Sequence, residues 1–466
     1  MKRVFLCMLA MIFVGLFSVF FFAEEDSVLQ GEDITDRVSL DLIKGSGKSS
    51  RLLDRNVETS CSTSTTSPLF ELKISSEEPI YGIYLLWNND VAQWTLTGEG
   101  ETVIGGEDGF WHEYKPLSGE KEYTLTWENC PDADLAEVYF LSEGTVPDFV
   151  QIWEPPCEKA DFLLLPTHAD DEHLWFGGTM PYYGGELGYK IQVVYLMKHV
   201  SGRHHELLNG LWHVGIRNYP VISEFVDKYC GSLSAAKKLY PEEDVLDFLV
   251  ENIRRFRPEV IVGHDLDGEY GHGAHILNAT VLSERAVFAA NDAELCPESF
   301  EKYGTWETKK CYLHLYQENE VFLDWSSKIL SAFGGKTAYE MAQEGFDQHV
   351  SQRDAFSMSL DNRAKYGNAL FGLIYTTVGE DVKKDDFLEN IPAEALTTWV
   401  EPEPIPDPDP IVTDTSHPTE ISPAQTSSEQ TAAPSTARTT GIIVIVAVGA
   451  VWLIVMVAIF LFRKKK

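Results

Sequence analysis

Two hydrophobic periods divide the chain. Between about Asp33 and Val150, apolar and polar residues alternate in short runs, among them Ile80-Tyr-Gly-Ile-Tyr-Leu-Leu-Trp87, Gln93-Trp-Thr-Leu-Thr97, Glu122-Tyr-Thr-Leu-Thr-Trp127 and Ala136-Glu-Val-Tyr-Phe-Leu141. Turn-forming clusters such as Asn88-Asn-Asp90 and Gly98-Glu-Gly100 separate them. A period of two with frequent turns predicts a β-sandwich over 33–150. After Pro156 the apolar runs become continuous, as in Ala160-Asp-Phe-Leu-Leu-Leu-Pro-Thr167, Lys190-Ile-Gln-Val-Val-Tyr-Leu-Met197 and Arg257-Pro-Glu-Val-Ile-Val-Gly-His264. Such runs suit strands covered on both faces. Helical periodicity occupies Arg203 to Ile216, Glu242 to Phe256 and Ala274 to Ala290. This alternation predicts a doubly wound α/β domain over 157–398, with a parallel sheet whose ligands sit at the carboxyl ends of its strands.

Two apolar runs follow neither period. Val4 to Ala23, interrupted only by Ser18, lies between Met1-Lys2-Arg3 and Glu24-Glu25-Asp26 and reads as a secretion signal over 1–23, with an uncleaved anchor as the alternative. Gly441 to Phe462 carries no charge and is followed at once by Arg463-Lys-Lys-Lys466. At about 1.5 Å per residue it spans roughly 33 Å, enough to cross a bilayer core of about 30 Å. The basic tail, 463–466, is then cytoplasmic, and everything from Glu24 to about Thr440 lies outside a single-pass cell-membrane protein. Trp399-Val-Glu-Pro-Glu-Pro-Ile-Pro-Asp-Pro-Asp-Pro410 opens a Pro-, Ser- and Thr-rich stretch that predicts an extended stalk over 399–440.

Composition narrows the partners. The 466 residues are 44% hydrophobic, which excludes a wholly disordered chain. With 72 acidic against 37 basic residues the net charge is -35, so no basic surface is available to neutralise nucleic-acid phosphates. Six of the seven cysteines, Cys61, Cys130, Cys157, Cys230, Cys296 and Cys311, follow the signal. Proximity in sequence makes Cys296 with Cys311, and Cys61 with Cys130, the simplest disulfide pairs; free buried thiols are the alternative.

The chemistry gathers where predicted strands end. His168-Ala-Asp-Asp-Glu-His173 follows the first strand of the α/β region and is itself followed by Gly177-Gly178. A histidine beside two carboxylates suits a cation that takes nitrogen and oxygen ligands, and adjacent Asp170 and Asp171 can divide the work of proton acceptor and ligand. His264-Asp-Leu-Asp-Gly-Glu-Tyr-Gly-His-Gly-Ala-His275 follows a later strand and places His272 and His275 at the start of a helix. Two loops can thus converge on one ion and leave a position open for water.

These stretches resemble the PIG-L/LmbE-like family of zinc-dependent N-acetylglucosaminyl deacetylases. The family's A-H-P-D-D-E loop is similar to Thr167-His-Ala-Asp-Asp-Glu172, and its G-H-P-D-H is similar to Gly271-His-Gly-Ala-His275. Arg203-His-His-Glu206 through Val214-Gly-Ile216, and His349-Val-Ser-Gln352, match two further family stretches in the same order. The resemblance covers roughly Asp161 to Gln352 and implies an LmbE-like, Rossmann-like doubly wound sheet. It further implies that His168, Asp171 and His275 ligate zinc, or ferrous iron, and that Asp170 is the general base. It gives His272 the oxyanion or the leaving amine, Tyr270 an assisting hydrogen bond and Arg203 a substrate contact. Ala169 in place of the usual proline is expected to loosen the loop, and Ala274 replaces an aspartate. Separately, Ser50-Arg-Leu-Leu-Asp-Arg-Asn-Val-Glu-Thr-Ser60 resembles an early stretch of discoidin-type, galactose-binding-like jelly rolls.

On the residues themselves, amide hydrolysis needs a strong nucleophile, a stabilised oxyanion and a protonated leaving amine, for which a metal, Asp170 and an imidazolium at His272 are expected to serve. Glu172 and Glu206 are expected to orient ligand histidines from behind or to be acidic residues favoured in a first helical turn, whereas His173, His204, His205 and His213 read as packing residues. Trp87, Trp94, Trp111 and Trp127 read as core before they read as a sugar platform. The sequon Asn278-Ala-Thr280 adjoins a proposed ligand and is not expected to be glycosylated. The expected function is hydrolysis of the N-acetyl group of N-acetylglucosamine-type amino sugars, in a surface glycan. A catalytically silent glycan-binding protein and an amidase acting on another amide are the alternatives.

Overall fold

The computed structural model describes residues 29–359, 363–364 and 366–398. The predicted signal, stalk, membrane span and basic tail lie outside them; among the described residues no helix is long and apolar enough to cross a membrane.

The first part is antiparallel. Its strands are β1 (Val38–Lys44), β2 (Cys61–Ser62), β3 (Leu69–Asn89), β4 (Trp94–Thr97), β5 (Thr102–Gly105), β6 (His112–Glu128) and β7 (Ala133–Leu141). In place of the two separate sheets of a sandwich, hydrogen bonds join all seven into one sheet, in the order β2-β7-β3-β6-β4-β5 with β1 also on β3. The reason is the length of β3 and β6, 21 and 17 residues, which run through both halves. Phe70, Leu72 and Ile74 of the first half and Ile83, Leu85 and Trp87 of the second are all buried in a single core. The inward positions change from even to odd because the register breaks between Ser75 and Gly82, and a one-residue slip turns every side chain to the other face. Trp87, Trp94 and Trp127 are buried in this core.

The second part is α/β. Its strands are β8 (Phe162–Leu164), β9 (Ile191–Tyr195), β10 (Val221–Ile222), β11 (Val260–Gly263), β12 (Lys310–His314) and β13 (Glu320–Phe322). A small hairpin, β14 (Ile329–Leu330) with β15 (Lys336–Thr337), precedes β16 (Leu370–Thr376). The sheet order is β10-β9-β8-β11-β12-β16-β13, parallel from β10 to β12 and antiparallel over β16 and β13. Along β8, Phe162 and Leu164 pack against the helices Ser201–His213 and Ala338–Phe346, while Leu163 and its follower Leu165 pack against Glu242–Phe256 and Gly273–Val281. Both faces are covered, which is why this strand reads as continuously apolar. The expected helix from Ala274 to Ala290 starts at Gly273 and passes through a π-helical turn at Leu282–Ala286. From β8 the chain moves to β9 and β10 on one side, then returns to β11 on the other. The crevice between β8 and β11 is therefore the topological switch point.

All six cysteines from Cys61 to Cys311 are free thiols, so neither expected pair is formed. Burial raises every one of these thiols above its ordinary pKa.

A one-way chain of hydrogen bonds pins the first part to the helix Ser201–His213. Asn88 Nδ2 donates to the Val57 carbonyl at 2.7 Å, which leaves its Oδ1 to accept from His205 Nε2 at 2.8 Å. His205 Nδ1 then accepts from His112 Nε2 at 2.7 Å, and His112 Nδ1 accepts from the Tyr84 hydroxyl at 2.9 Å. Beside it, Trp111 stacks on His204 with centroids 3.8 Å apart. Each histidine is neutral in this arrangement, and burial depresses all three, His205 to about 4. Because the unfolded chain binds protons that the folded chain refuses, stability falls as pH drops from about 6.5 towards 4, by about 3 kcal/mol for His205 alone. Thermal denaturation of the wild type and of His205→Gln across this window should show a shallower pH slope in the variant; parallel slopes would contradict the assignment.

Candidate metal centre and catalytic pocket

The loop after β8 is built around a strained residue. Asp170 has φ +106° and immediately precedes the short helix Asp171–Leu174. Its backbone N–H donates to Glu172 Oε2 at 2.9 Å, and Glu172 Oε1 accepts from His349 Nε2 at 2.9 Å. Both carboxylate oxygens are thus engaged in holding the Asp170 turn, so Glu172 does not orient a ligand histidine as expected. His349 belongs to the His349-Val-Ser-Gln352 stretch, whose value is now physical. The loop is not loosened by Ala169: its N–H, which proline lacks, donates to His199 Nε2 at 2.8 Å, and its carbonyl accepts from Arg203. Gly177 follows with φ +52°, where a Cβ would lie 2.7 Å from Asn368 Cγ, so the turn passes Asn368 and Trp325 too closely for a side chain.

Five polar side chains meet at the switch point. One donor atom from each of His168, His272 and His275 lies within 4.8 Å of the others, as does one from each of Asp171, His264 and His275. Their hydrogen bonds separate them. His264 Nε2 accepts from the Thr167 N–H at 2.9 Å and its Nδ1 faces Glu269 Oε1 at 2.7 Å, so both nitrogens are used. His272 Nδ1 accepts from the Ala274 N–H at 3.2 Å, which leaves the proton on Nε2. His275 Nδ1 faces Glu269 Oε2 at 2.9 Å and His168 Nε2 faces Asp227 Oδ1 at 3.5 Å. In both, a carboxylate stands behind the ring and favours a proton on that side, which turns the other nitrogen towards the centre.

Three of these atoms converge. His168 Nδ1 is 2.9 Å from His275 Nε2, His275 Nε2 is 3.1 Å from Asp171 Oδ2, and Asp171 Oδ2 is 3.4 Å from His168 Nδ1. All three side chains are buried. Lone pairs converging in a buried site repel unless a cation lies among them, and two nitrogens with one carboxylate oxygen are a donor set that zinc or ferrous iron accepts. The residues present therefore fit the expected metal. Burial opposes ionisation of Asp171, but the facing histidines outweigh it and hold the carboxyl well below its usual range.

The rest of the pocket surrounds this centre. It has a volume of about 230 Å³ and is lined by Asp170, Arg203, Asp227, Tyr229, Tyr270 and His272, among others. Burial first, then the Asp171 carboxylate, push Asp170 well above the ordinary carboxyl range, while Arg203 opposes them. The Arg203 guanidinium donates to Asp170 Oδ1 at 3.1 Å, so it reaches the site through the carboxylate next to the metal position. Burial and the two neighbouring histidines lower His272 to about 4, so the expected imidazolium is a neutral ring with an Nε2–H donor. Tyr270 is half-exposed at the mouth, its ring 5.2 Å from that of His275. Glu206 is elsewhere: it accepts from the Ser351 N–H and hydroxyl and ties the helix Ser201–His213 to the segment after the helix Ala338–Phe346. Among the histidines expected to pack, His173 is fully buried beside Glu172 and His349, and burial lowers it to about 3. Ala274 lies in the apolar core, and Asn278 is buried with its amide donating to the Leu165 carbonyl and Thr167 Oγ1, which leaves it no room for a glycan.

Sequence reasoning missed Asp227, Glu269 and Tyr229. Asp227 and Tyr229 lie in a stretch with no periodic signal, and only the fold brings Asp227 to 3.4 Å from His199 and 3.8 Å from Arg203. Glu269 was visible inside the His264–His275 cluster, but its spacing gives no hint that it faces both His264 and His275.

No family model matches the chain. Over 91 residues it is 34% identical to the 1D-myo-inositol 2-acetamido-2-deoxy-α-D-glucopyranoside deacetylase 1 of Frankia casuarinae, a stretch that spans 19% of this chain and 28% of that relative. Among solved structures, an N,N'-diacetylchitobiose deacetylase from Pyrococcus horikoshii is 14% identical with a TM-score of 0.35, covering 46% of this chain and 84% of its own. A conserved protein from Thermus thermophilus is 18% identical with a TM-score of 0.31, covering 42% and 81%.

Replacement of Glu269 by glutamine removes the carboxylate that faces His275 Nδ1 and His264 Nδ1. Zinc affinity, read by competition with a chromophoric chelator, should fall by roughly 10- to 100-fold, whereas Glu206→Gln should leave it unchanged. Equal affinities in the two variants would contradict the assignment.

Proposed function

We propose that the protein is a divalent-metal-dependent deacetylase that hydrolyses the N-acetyl group of N-acetylglucosamine-type amino sugars. The observation that carries this reading is the convergence of His168 Nδ1, Asp171 Oδ2 and His275 Nε2, with Asp170 on one side and the Nε2–H of His272 on the other. The stretch of likeness to a deacetylase named for a 2-acetamido-2-deoxyglucoside supports the substrate class.

A zinc or ferrous ion held by His168, Asp171 and His275 would supply Lewis acidity to the amide carbonyl and bring the pKa of water down towards about 7. Asp170 accepts the proton of the attacking water, its carboxylate aimed by Arg203. Its raised pKa suits the return step, in which the protonated carboxyl gives that proton to the leaving amine. As the amide carbon becomes tetrahedral, His272 donates Nε2–H to the oxygen that gains charge, and a neutral donor does this without repelling a nearby cation. Tyr270 borders the same space and offers a hydroxyl. We further propose that the reaction takes place outside the cell membrane, in a domain carried on the stalk over 399–440 and the helix over 441–462. The hydropathy of the two chain ends supports that placement.

Acetate release from N-acetylglucosamine oligomers should be abolished by chelation and restored by zinc. Asp170→Ala should lower kcat by about 10²- to 10⁴-fold with the bound metal retained, and His272→Ala should lower it by about 10²- to 10³-fold. Full activity in Asp170→Ala, or activity indifferent to chelation, would overturn the mechanism.

A further inference from the structure

The catalytic pocket, at about 230 Å³, falls short of the 300–1,000 Å³ or so typical of a site that encloses its ligand. A second cavity, of about 410 Å³, lies between the antiparallel part and the α/β part. The two are neighbours along two chain segments. Glu224 lines the second cavity and Asp227 the first, three residues apart and so separated by at most about 10 Å of chain. Likewise His204 lines the second and Arg203 the first.

The lining of the second cavity suits a neutral, hydroxyl-rich ligand. Its floor is aromatic: Trp111 stacks on His204, and the Trp111 N–H donates to the Tyr219 hydroxyl at 3.1 Å. Asp90 stands on the wall from the antiparallel part, and an ion pair of Lys198 Nζ with Glu224 Oε2 at 2.8 Å stands on the wall from the α/β part. Aromatic rings in the lining for the apolar C–H groups of a sugar, with carboxylates and an ammonium for its hydroxyls, are the usual composition of a saccharide subsite. A peptide added as a strand is disfavoured, because the adjacent sheet edge, β10, is two residues long and offers almost no ladder. The hydrogen-bonded chain from Tyr84 through His112 and His205 to Asn88 holds the two walls at a fixed spacing.

We propose that this interdomain cleft is a second saccharide subsite of the deacetylase, so that the substrate is an oligosaccharide of N-acetylated amino sugars, gripped beyond the unit that reacts. This rests on the reaction proposed above. Each deacetylation leaves an ammonium on the glycan, and a protein of net charge -35 attracts the partly deacetylated chain, which favours repeated action on one strand.

The test uses the full-length protein in detergent, with methyl N-acetylglucosaminide and the β-1,4-linked tetramer of N-acetylglucosamine as substrates. The tetramer should have a kcat/KM at least about 10-fold above that of the monosaccharide, about 1.4 kcal/mol of added recognition. Asp90→Ala and Lys198→Ala together should remove most of that advantage and leave the monosaccharide within about two-fold of wild type. Equal kcat/KM for the two substrates in the wild type, or equal losses on both in the variant, would overturn the subsite. If neither substrate releases acetate, the proposed reaction fails and calorimetry decides the subsite alone. Tighter binding of the tetramer that the double variant abolishes sustains it, and equal binding of the two ligands overturns it.

Discussion

Two imidazole nitrogens and a carboxylate oxygen lie buried within 3.4 Å of one another, an arrangement that a positive charge among them stabilises. Much of the site follows from that constraint. Glu269 and Asp227 stand behind the rings, 2.9 Å from His275 Nδ1 and 3.5 Å from His168 Nε2, and draw positive charge to that side. The backbone N–H groups of Thr167 and His168 donate to Asp171 Oδ2, which fixes the carboxylate before any ion arrives. Burial, and then the same crowding of acids, push Asp170 towards its protonated form, and the Arg203 guanidinium opposes them. Ligand and proton acceptor, though adjacent in sequence, are thereby separated in chemistry.

The strain at Asp170 shows how the fold maintains the difference. A positive φ at a non-glycine residue needs its surroundings to enforce it. Here Glu172 holds the Asp170 N–H, His349 holds Glu172, and His199 and Arg203 hold the peptide of Ala169 on the other side. These partners come from the short helix, the segment after the helix Ala338–Phe346, the loop after β9 and the helix Ser201–His213. Four elements thus meet on one turn at the switch point between β8 and β11, where a doubly wound sheet opens.

How much of this could be read from the sequence depended on range. The buried strands were legible because both faces of β8, β9 and β11 are covered, and the helix Glu242–Phe256 was legible from its period. His168, Asp170, Asp171, His272 and His275 stand in short clusters at strand ends, so local spacing sufficed to bring them to one pocket. Asp227, which serves His168, His199 and Arg203 at once, had no such spacing and depends on how β10 lies beside β9. Glu172 was assigned to the wrong neighbour, because sequence cannot show that adjacent carboxylates point in opposite directions. In the antiparallel part the strands were visible, but the joining of both halves through β3 and β6 was not, since the register break that turns one face into the other lies in Ser75 to Gly82, a stretch without a turn signal.

The central claim is that His168, Asp171 and His275 enclose a cation. Anomalous diffraction at the zinc edge, from crystals of the zinc-loaded protein, tests it most directly. One peak about 2.0–2.2 Å from His168 Nδ1, Asp171 Oδ2 and His275 Nε2 is the predicted result. A peak elsewhere, for instance among Glu172, His173 and His349, or no peak with a proton shared between His168 and His275, would contradict it.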